Sequence, residues 1–359
     1  LNAVRLVLAA AVILAHSWTI GGYGDTIFHW VGANSVNGFF ALSGFLIAGS
    51  RLRHDFRHYI TRRAQRIFPG FWVCLVLIAL VFAPVGALLS GVSWDPGDAV
   101  AYIRNNAGLV IVNREIGQTL AASPEGANWN RSLWSLMHEF IAYIVCGVLL
   151  GVLWVRRNLA LAAGAVVAVL PLAYVAVPDL DGPAHMVNDS LRLLSFYFAG
   201  VLAYALRHRI RTSHAVAGLA AVTVLAAGFT SETLLHAATP IPLTYLLLHV
   251  GSTWRTRIAA EEDASFGLYI YGYPVQQLLA MLGLGTLLPV WGFALASMAL
   301  TFPLALASWR CVEKPAMGLR LARARIPEVG PAVPVPAPGA VMAQREWDHH
   351  ASTTLTVGR

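Results

Sequence analysis

Two residues of the first apolar run have the types and spacing for acid–base chemistry and anion binding. Arg5 and His16 have ten residues between them. Eleven steps of about 100° return both side chains to nearly one helix face, roughly 16 Å apart along the axis. A neutral imidazole can take a proton from a hydroxyl near neutral pH. An ionisable side chain that deep in an apolar helix is costly unless it faces a cavity or a partner. His16 equally fits a residue capping the outer helix end among headgroups. The second candidate is Glu139, in the run Asn130-Arg131-Ser132-Leu133-Trp134-Ser135-Leu136-Met137-His138-Glu139-Phe140, at an expected depth similar to that of His16. Ser135, Glu139 and Tyr143 recur every fourth residue and share a face. A carboxylate in an apolar helix must pair or protonate. Glu139 is therefore either a functional acid or half of a structural ion pair with Arg131 or Arg192. The third group is Arg62, Arg63 and Arg66, in which both earlier arginines neighbour Arg66 at i+4 and i+3. Guanidinium clusters suit bidentate phosphate binding, although arginines flanking a helix also set topology or touch anionic lipid.

Other segments carry less chemistry. Ser43 and Gly44 lie in FFALSGFLI, where small residues permit close helix packing, and no GxSxG nucleophile elbow is present. SFGLYIYGYPVQQ, 265–277, reads as a kinked helix lining a cavity. His349 and His350 sit in a Pro/Ala-rich tail and form no credible metal site. Cys74, Cys146 and Cys311 lie in or at the ends of apolar runs without CxxC spacing, which argues against disulfides or zinc.

The elements that must position these groups follow from composition. The 359 residues are 57% hydrophobic and 12% charged, with a mean hydropathy of +0.62. A soluble domain carries roughly 25% charged residues, so the surplus apolar surface needs lipid. The fold class expected is an all-α integral membrane protein, a bundle of about ten transmembrane helices. The spans fall near 3–20, 36–50, 67–91, 133–154, 158–177, 190–206, 214–230, 239–253, 265–285 and 288–309, given about 20 apolar residues per crossing. The first run carries a histidine and no small-residue cleavage site, and is read as a retained helix. The net charge of +7 comes in short basic clusters between apolar runs, the pattern of cytoplasmic loops and not of a nucleic-acid face. With ten helices and a cytoplasmic start, every cluster falls inside, which places both termini in the cytoplasm. Residues 92–131 form a long external connection whose aromatic content favours a partly folded element. The stretch after Arg325 reads as a disordered cytoplasmic tail, 327–359. No inverted repeat of the transporter kind is visible.

Taken together these segments resemble the bacterial membrane-bound acyltransferase 3 family. Arg5 and His16 fit its arginine–ten residues–histidine pattern, FFALSGFLI its second-helix motif, and Arg63-Ala64-Gln65-Arg66 its RxxR, with Pro69 and Trp72 following. SLWSLMHEF, SFGLYIYGYPVQQ and Glu313-Lys314-Pro315 complete the order across residues 5–315. The resemblance implies that residues 1–326 form an acyltransferase domain in a bacterial plasma membrane. It would take acyl groups, often acetyl, from cytoplasmic acyl-CoA to sugar hydroxyls of polysaccharides, glycolipids or glycosylated small molecules. His16 would be the catalytic histidine, with Arg5, Arg63 and Arg66 on the donor side. The sequence departs from the pattern in its short tail, where some members carry a soluble hydrolase-like domain, and in His138 beside the carboxylate.

On this reading no cofactor or metal is held permanently, and acyl-CoA is a substrate. Its phosphates would meet Arg62, Arg63 and Arg66, and its pantetheine arm would pass Arg5 to reach His16, the general base. Glu139 would orient the imidazole as the acid does in a Ser-His-Asp triad. Transfer would be direct, since no activated nucleophile is visible. A secondary transporter or a non-catalytic membrane sensor are the readings from other classes.

Overall fold

The computed structural model describes residues 1–24, 26, 29–126, 128–177, 185–254, 256 and 262–319, and every regular element among them is helical. Helix α1 spans Asn2–Ile20, α2 His29–Arg53 and α3 Phe56–Leu77. α3 passes through a π-turn at Ile78–Phe82 into α4, Ala83–Ser90. α5 is Pro96–Asn106, α6 Trp134–Leu149, α7 the short Leu153–Arg157 and α8 Leu159–Ala176. α9, His185–Ala205, precedes α10, His214–Thr230, α11, Glu232–Ala238, and α12, Pro240–Thr253. α13 spans Ser265–Met281, α14 Leu284–Leu287 and α15 Val290–Ser308. A second π-turn, Trp309–Glu313, leads into α16, Lys314–Gly318. The expected tail, 327–359, lies outside the described residues.

Each expected span coincides with a helix. Among the described residues six helical stretches are long and apolar enough to cross a membrane, and the pair α11–α12, bent by 67°, adds a seventh if taken as one span. The outer faces agree with a lipid solvent. Leu161, Val169 and Leu172 on α8, Leu219 and Val222 on α10, and Leu295 and Leu300 on α15 are all exposed. Contiguous exposed apolar surface on that scale is foreign to soluble monomers. The protein is an all-helical membrane protein.

Two local features decide where the chemistry-bearing residues fall. The sequence suggests a third helix from about residue 67, whereas α3 begins at Phe56. The Asp55 carboxylate accepts the His58 amide at 2.9 Å, and this N-cap starts the helix about three turns early. Arg62, Arg63 and Arg66 therefore ride on a rigid helix and not on a loop. The second feature is the contact of α2 with α9. A Cβ on Gly44 would lie 1.8 Å from the Tyr197 carbonyl oxygen, and one on Gly200 2.0 Å from that of Ala41. The two backbones touch, as small residues allow between membrane helices.

The connection between α4 and α6 is partly folded, as its tryptophans suggest. Trp129 is fully buried and its indole donates to the Thr119 hydroxyl at 2.9 Å. The Trp94 indole reaches the Ala79 carbonyl at 3.1 Å. Asn106 Oδ1 takes the amides of Val112 at 2.8 Å and Asn113 at 3.0 Å, which satisfies a backbone stretch that belongs to no helix.

Candidate active site

A cavity lies among α1, α2, α3, α6 and α13, lined by Arg5, Arg63, Arg66, Ser43, Ser135, Glu139, Tyr143 and Tyr269 with apolar walls that include Phe39, Phe40 and Phe266. The expected stripe of Ser135, Glu139 and Tyr143 does share one face, and the face looks into this space.

Ion pairs build the arginine end. Arg5 Nη1 and Arg66 Nη2 each lie 2.6 Å from the same Asp263 oxygen. Arg66 Nη1 meets Glu313 at 3.1 Å, and Glu313 accepts the Ser308 hydroxyl at 3.1 Å. Trp309 and Phe266 pack on the Arg66 guanidinium, 5.1 and 5.7 Å from the ring centroids. Burial alone would raise the Asp263 carboxyl, but Arg5 and Arg66, with the Ser265 hydroxyl and amide, outweigh it and hold the group below the ordinary carboxylate range. Arg63 is different. Its buried Nε has no hydrogen-bond partner, and no carboxylate pairs with it among the described residues. Arg62 turns away, donates to the Met317 carbonyl, and does not line the cavity. Of the four expected donor-side arginines, three converge and Arg62 stands apart.

The two expected catalytic residues are not in contact. Glu139 Oε1 accepts the Ser43 hydroxyl at 3.1 Å and the Tyr143 hydroxyl. The His16 ring packs edge-on against Tyr273, centroids 5.0 Å apart, and does not line the cavity. The expectation that Glu139 orients the imidazole is thus corrected: α6 turns Glu139 toward α2, on the arginine side. Neither expected ion pair to Glu139 forms. Arg131 pairs with Glu125 at 3.3 Å. Arg192 pairs with Asp189 at 2.7 Å and lies over the Trp134 ring. His138, which the motif left unexplained, folds back on its own helix with Nδ1 3.2 Å from the Trp134 carbonyl.

Phe39 and Tyr269 form part of the cavity wall, in edge contact with centroids 5.7 Å apart. Tyr269 is fixed there by Ser135, 2.6 Å from its hydroxyl, and by the Ser132 carbonyl at 2.8 Å. Sequence reasoning missed Asp263, Glu313 as a partner of Arg66, and the surroundings of His16. One signal for Asp263 was present: an acid directly before an apolar helix whose near neighbours in the other loops are arginines.

A helical membrane protein with a buried, arginine-lined chamber suits an enzyme acting on an anionic small molecule, and the comparisons specify the class. Residues 1–310 match the family profile described as "Acyltransferase domain", so the protein is a membrane acyltransferase. It is 25% identical over 334 residues to a protein of Shigella phage Sf6 named "O-acetyl transferase", covering 87% of this chain and 94% of the relative. It is also 26% identical over 350 residues to "Nodulation protein 10" of Rhizobium leguminosarum bv. viciae, covering 88% and 92%. The chain belongs to the acyltransferase 3 family. No solved structure matches it.

Proposed function

We propose that the protein moves an acyl group, acetyl in the first instance, from acyl-CoA to a hydroxyl of a carbohydrate or glycosylated acceptor. The observation that carries this is Arg63, a half-buried arginine with a buried, unpartnered Nε on a cavity whose other two arginines are already paired. A free guanidinium of this kind is an anion site, and the phosphates of CoA supply the anion. Arg5 and Arg66 border the same chamber, held by Asp263 in fixed positions.

The acyl thioester then extends along α2 and α6, past Glu139 and the Phe39–Tyr269 pair, toward His16 on the helix that also carries Arg5. His16 takes the proton of the acceptor hydroxyl, the oxygen attacks the thioester carbonyl carbon, the C–S bond breaks, and CoA leaves as a thiolate that is then protonated. A thiol with a pKa of about 8.5 leaves without a strong general acid. Glu139 acts on the donor side, holding Ser43 and Tyr143 along the pantetheine path. The ten helices that coincide with the expected spans all cross the plasma membrane of a bacterium, with the arginine cavity and both termini on the cytoplasmic side. The name of the phage relative, "O-acetyl transferase", supports acetyl as the group and oxygen as its destination.

The test uses purified protein in nanodiscs. Wild type binds CoA and releases CoA thiol from acetyl-CoA when unacetylated glycan is present, whereas His16→Gln binds CoA equally and releases none. Glycan-dependent thiol release by His16→Gln at the wild-type rate would remove His16 from the reaction. Flux of a solute without any thiol release would favour a transporter.

A further inference from the structure

α13 orders the cavity from one end to the other. Asp263, just before its first turn, holds Arg5 and Arg66, and Phe266 packs on the Arg66 guanidinium. Tyr269 stands one turn farther along the helix, where it meets Phe39 of α2 and Ser135 of α6. α2 and α6 follow the same order. Ser43 and Glu139, joined at 3.1 Å, each lie one turn along their helices from Phe39 and Ser135, and the Glu139 charge acts on Arg5. The cavity therefore has a cationic end and, beyond Glu139, an end where Phe39 and Tyr269 form the wall.

At that second end both hydroxyl protons are spent. Tyr269 has one proton, which goes to the Ser132 carbonyl at 2.8 Å. The Ser135 hydroxyl, 2.6 Å away, therefore donates to the Tyr269 oxygen. The remaining wall is Val36, Phe39, Phe40 and Leu136. A sugar lodged here would find no donor for its oxygens, and buried polar groups left unmatched are costly. An apolar group lodged here gains by leaving water. Of the groups that the proposed reaction brings together, the acyl tail is the apolar one.

Phe39 is the wall residue whose size decides how much room that tail has. Val36, Phe40 and Leu136 are 8%, 2% and 2% exposed and belong to the packing between helices. Tyr269 is pinned by its two hydrogen bonds. Phe39 is half-buried and rests edge-on against Tyr269, centroids 5.7 Å apart, with no polar tether. A densely packed wall does not yield to an extra methylene without strain.

We propose that Phe39 sets the length of the acyl group, so that acetyl clears the Phe39–Tyr269 pair and a longer chain meets the Phe39 ring. The inference rests on the reading of this cavity as the acyl-CoA site. Cutting the ring back to a methyl group leaves apolar space, and such space stays dry and takes an apolar guest. Each methylene buried there is worth about fourfold in affinity, and two are worth about fifteenfold.

The experiment measures Kd for CoA, acetyl-CoA and butyryl-CoA by calorimetry in nanodiscs, with empty nanodiscs as the blank. It compares wild type, Phe39→Ala, Phe39→Leu and Phe39→Trp. The ratio of butyryl-CoA to acetyl-CoA affinity on one preparation is independent of the fraction of folded protein. Wild type is expected to bind butyryl-CoA at least tenfold more weakly than acetyl-CoA. In Phe39→Ala the ratio should shift toward butyryl-CoA by at least tenfold, and in Phe39→Leu by at least threefold. In Phe39→Trp acetyl-CoA should weaken at least tenfold relative to CoA. Affinity for CoA itself, which carries no acyl group, should stay within threefold throughout. Should Phe39→Ala not fold, Phe39→Leu and Phe39→Trp decide the question. A wild-type ratio retained in the variants that fold would overturn the inference, as would equal binding of acetyl-CoA and butyryl-CoA by wild type. Failure of wild type to bind CoA at all would instead sink the reading of the cavity on which the inference rests.

Discussion

Nη2 of Arg66 lies 2.6 Å from Oδ2 of Asp263, which joins α3 to the start of α13 through one charge pair. The same oxygen holds Arg5, so a single carboxylate sets two of the three arginine positions in the cavity. Removing one partner of a buried pair leaves uncompensated charge, at a cost of about 3–5 kcal/mol. Asp263→Asn is expected to lower stability by that order in denaturant titration. The carboxyl is held below the ordinary range in the folded protein. Its contribution to stability is therefore complete above the unfolded carboxylate pKa, about 3.9, and fades only as pH falls below that value. Wild type and Asp263→Asn should differ most at neutral pH and converge in strong acid; a difference that grew on acidification would contradict the assignment.

Arg62 and Arg63 are adjacent in sequence and opposite in role. Arg63 faces the cavity with a free Nε, while Arg62 is spent on the Met317 carbonyl. A charge-assisted hydrogen bond is worth about 1.5–3 kcal/mol, and 1.4 kcal/mol is about tenfold in affinity. Calorimetry of CoA binding should show at least a tenfold loss in Arg63→Ala and less than threefold in Arg62→Ala. Equal losses would mean that both arginines act through general charge and not through the cavity.

Gly44 and Gly200 have no room for a methyl group. Each added Cβ would fall within 2.0 Å of a backbone oxygen on the facing helix, and backbone cannot swing aside as a side chain can. Gly44→Ala and Gly200→Ala should each cost at least the ~3 kcal/mol that marks the upper end of common overpacking penalties. The readout is the fraction of monodisperse protein after extraction in mild detergent. Gly218→Ala, at a position where nothing lies within 4 Å of the added atom, should behave as wild type.

Much of the fold was legible because its determinants are periodic. Apolar runs of the right length located the helices, and the Arg5 to His16 spacing placed both groups along one helix at opposite ends. The four-residue recurrence of Ser135, Glu139 and Tyr143 identified a shared face. What that face meets was not legible. Whether Glu139 looks toward α1 or α2 depends on the rotation of α6 within the bundle, and rotation is fixed by packing such as the Gly44–Gly200 contact, not by the sequence of α6. The same applies to Arg62 and Arg63, 100° apart on a helix whose early start depends on the Asp55 cap. Gln277 on α13 holds the backbone carbonyls of Glu125 and Asn128 in the connection before α6, a contact that the pattern of neither segment announces.

The π-turn at Trp309–Glu313 settles which way the end of α15 looks. From Thr301, buried on the inner stripe, to Glu313 is a count of twelve residues. On an unbroken α-helix that would swing Glu313 about 120° off the stripe, toward the hydrocarbon that Leu300 and Phe302 meet. The wide turn, closed by the Lys314 amide on the Trp309 carbonyl, takes up one residue and recovers about 100° of that swing. One length of chain can thus be greasy on its flank and still deliver an acid inward to Arg66. Straightening that turn into regular α-helix with every residue kept would turn the acid out into the bilayer, whereas excising one residue between 309 and 313 would leave it facing inward.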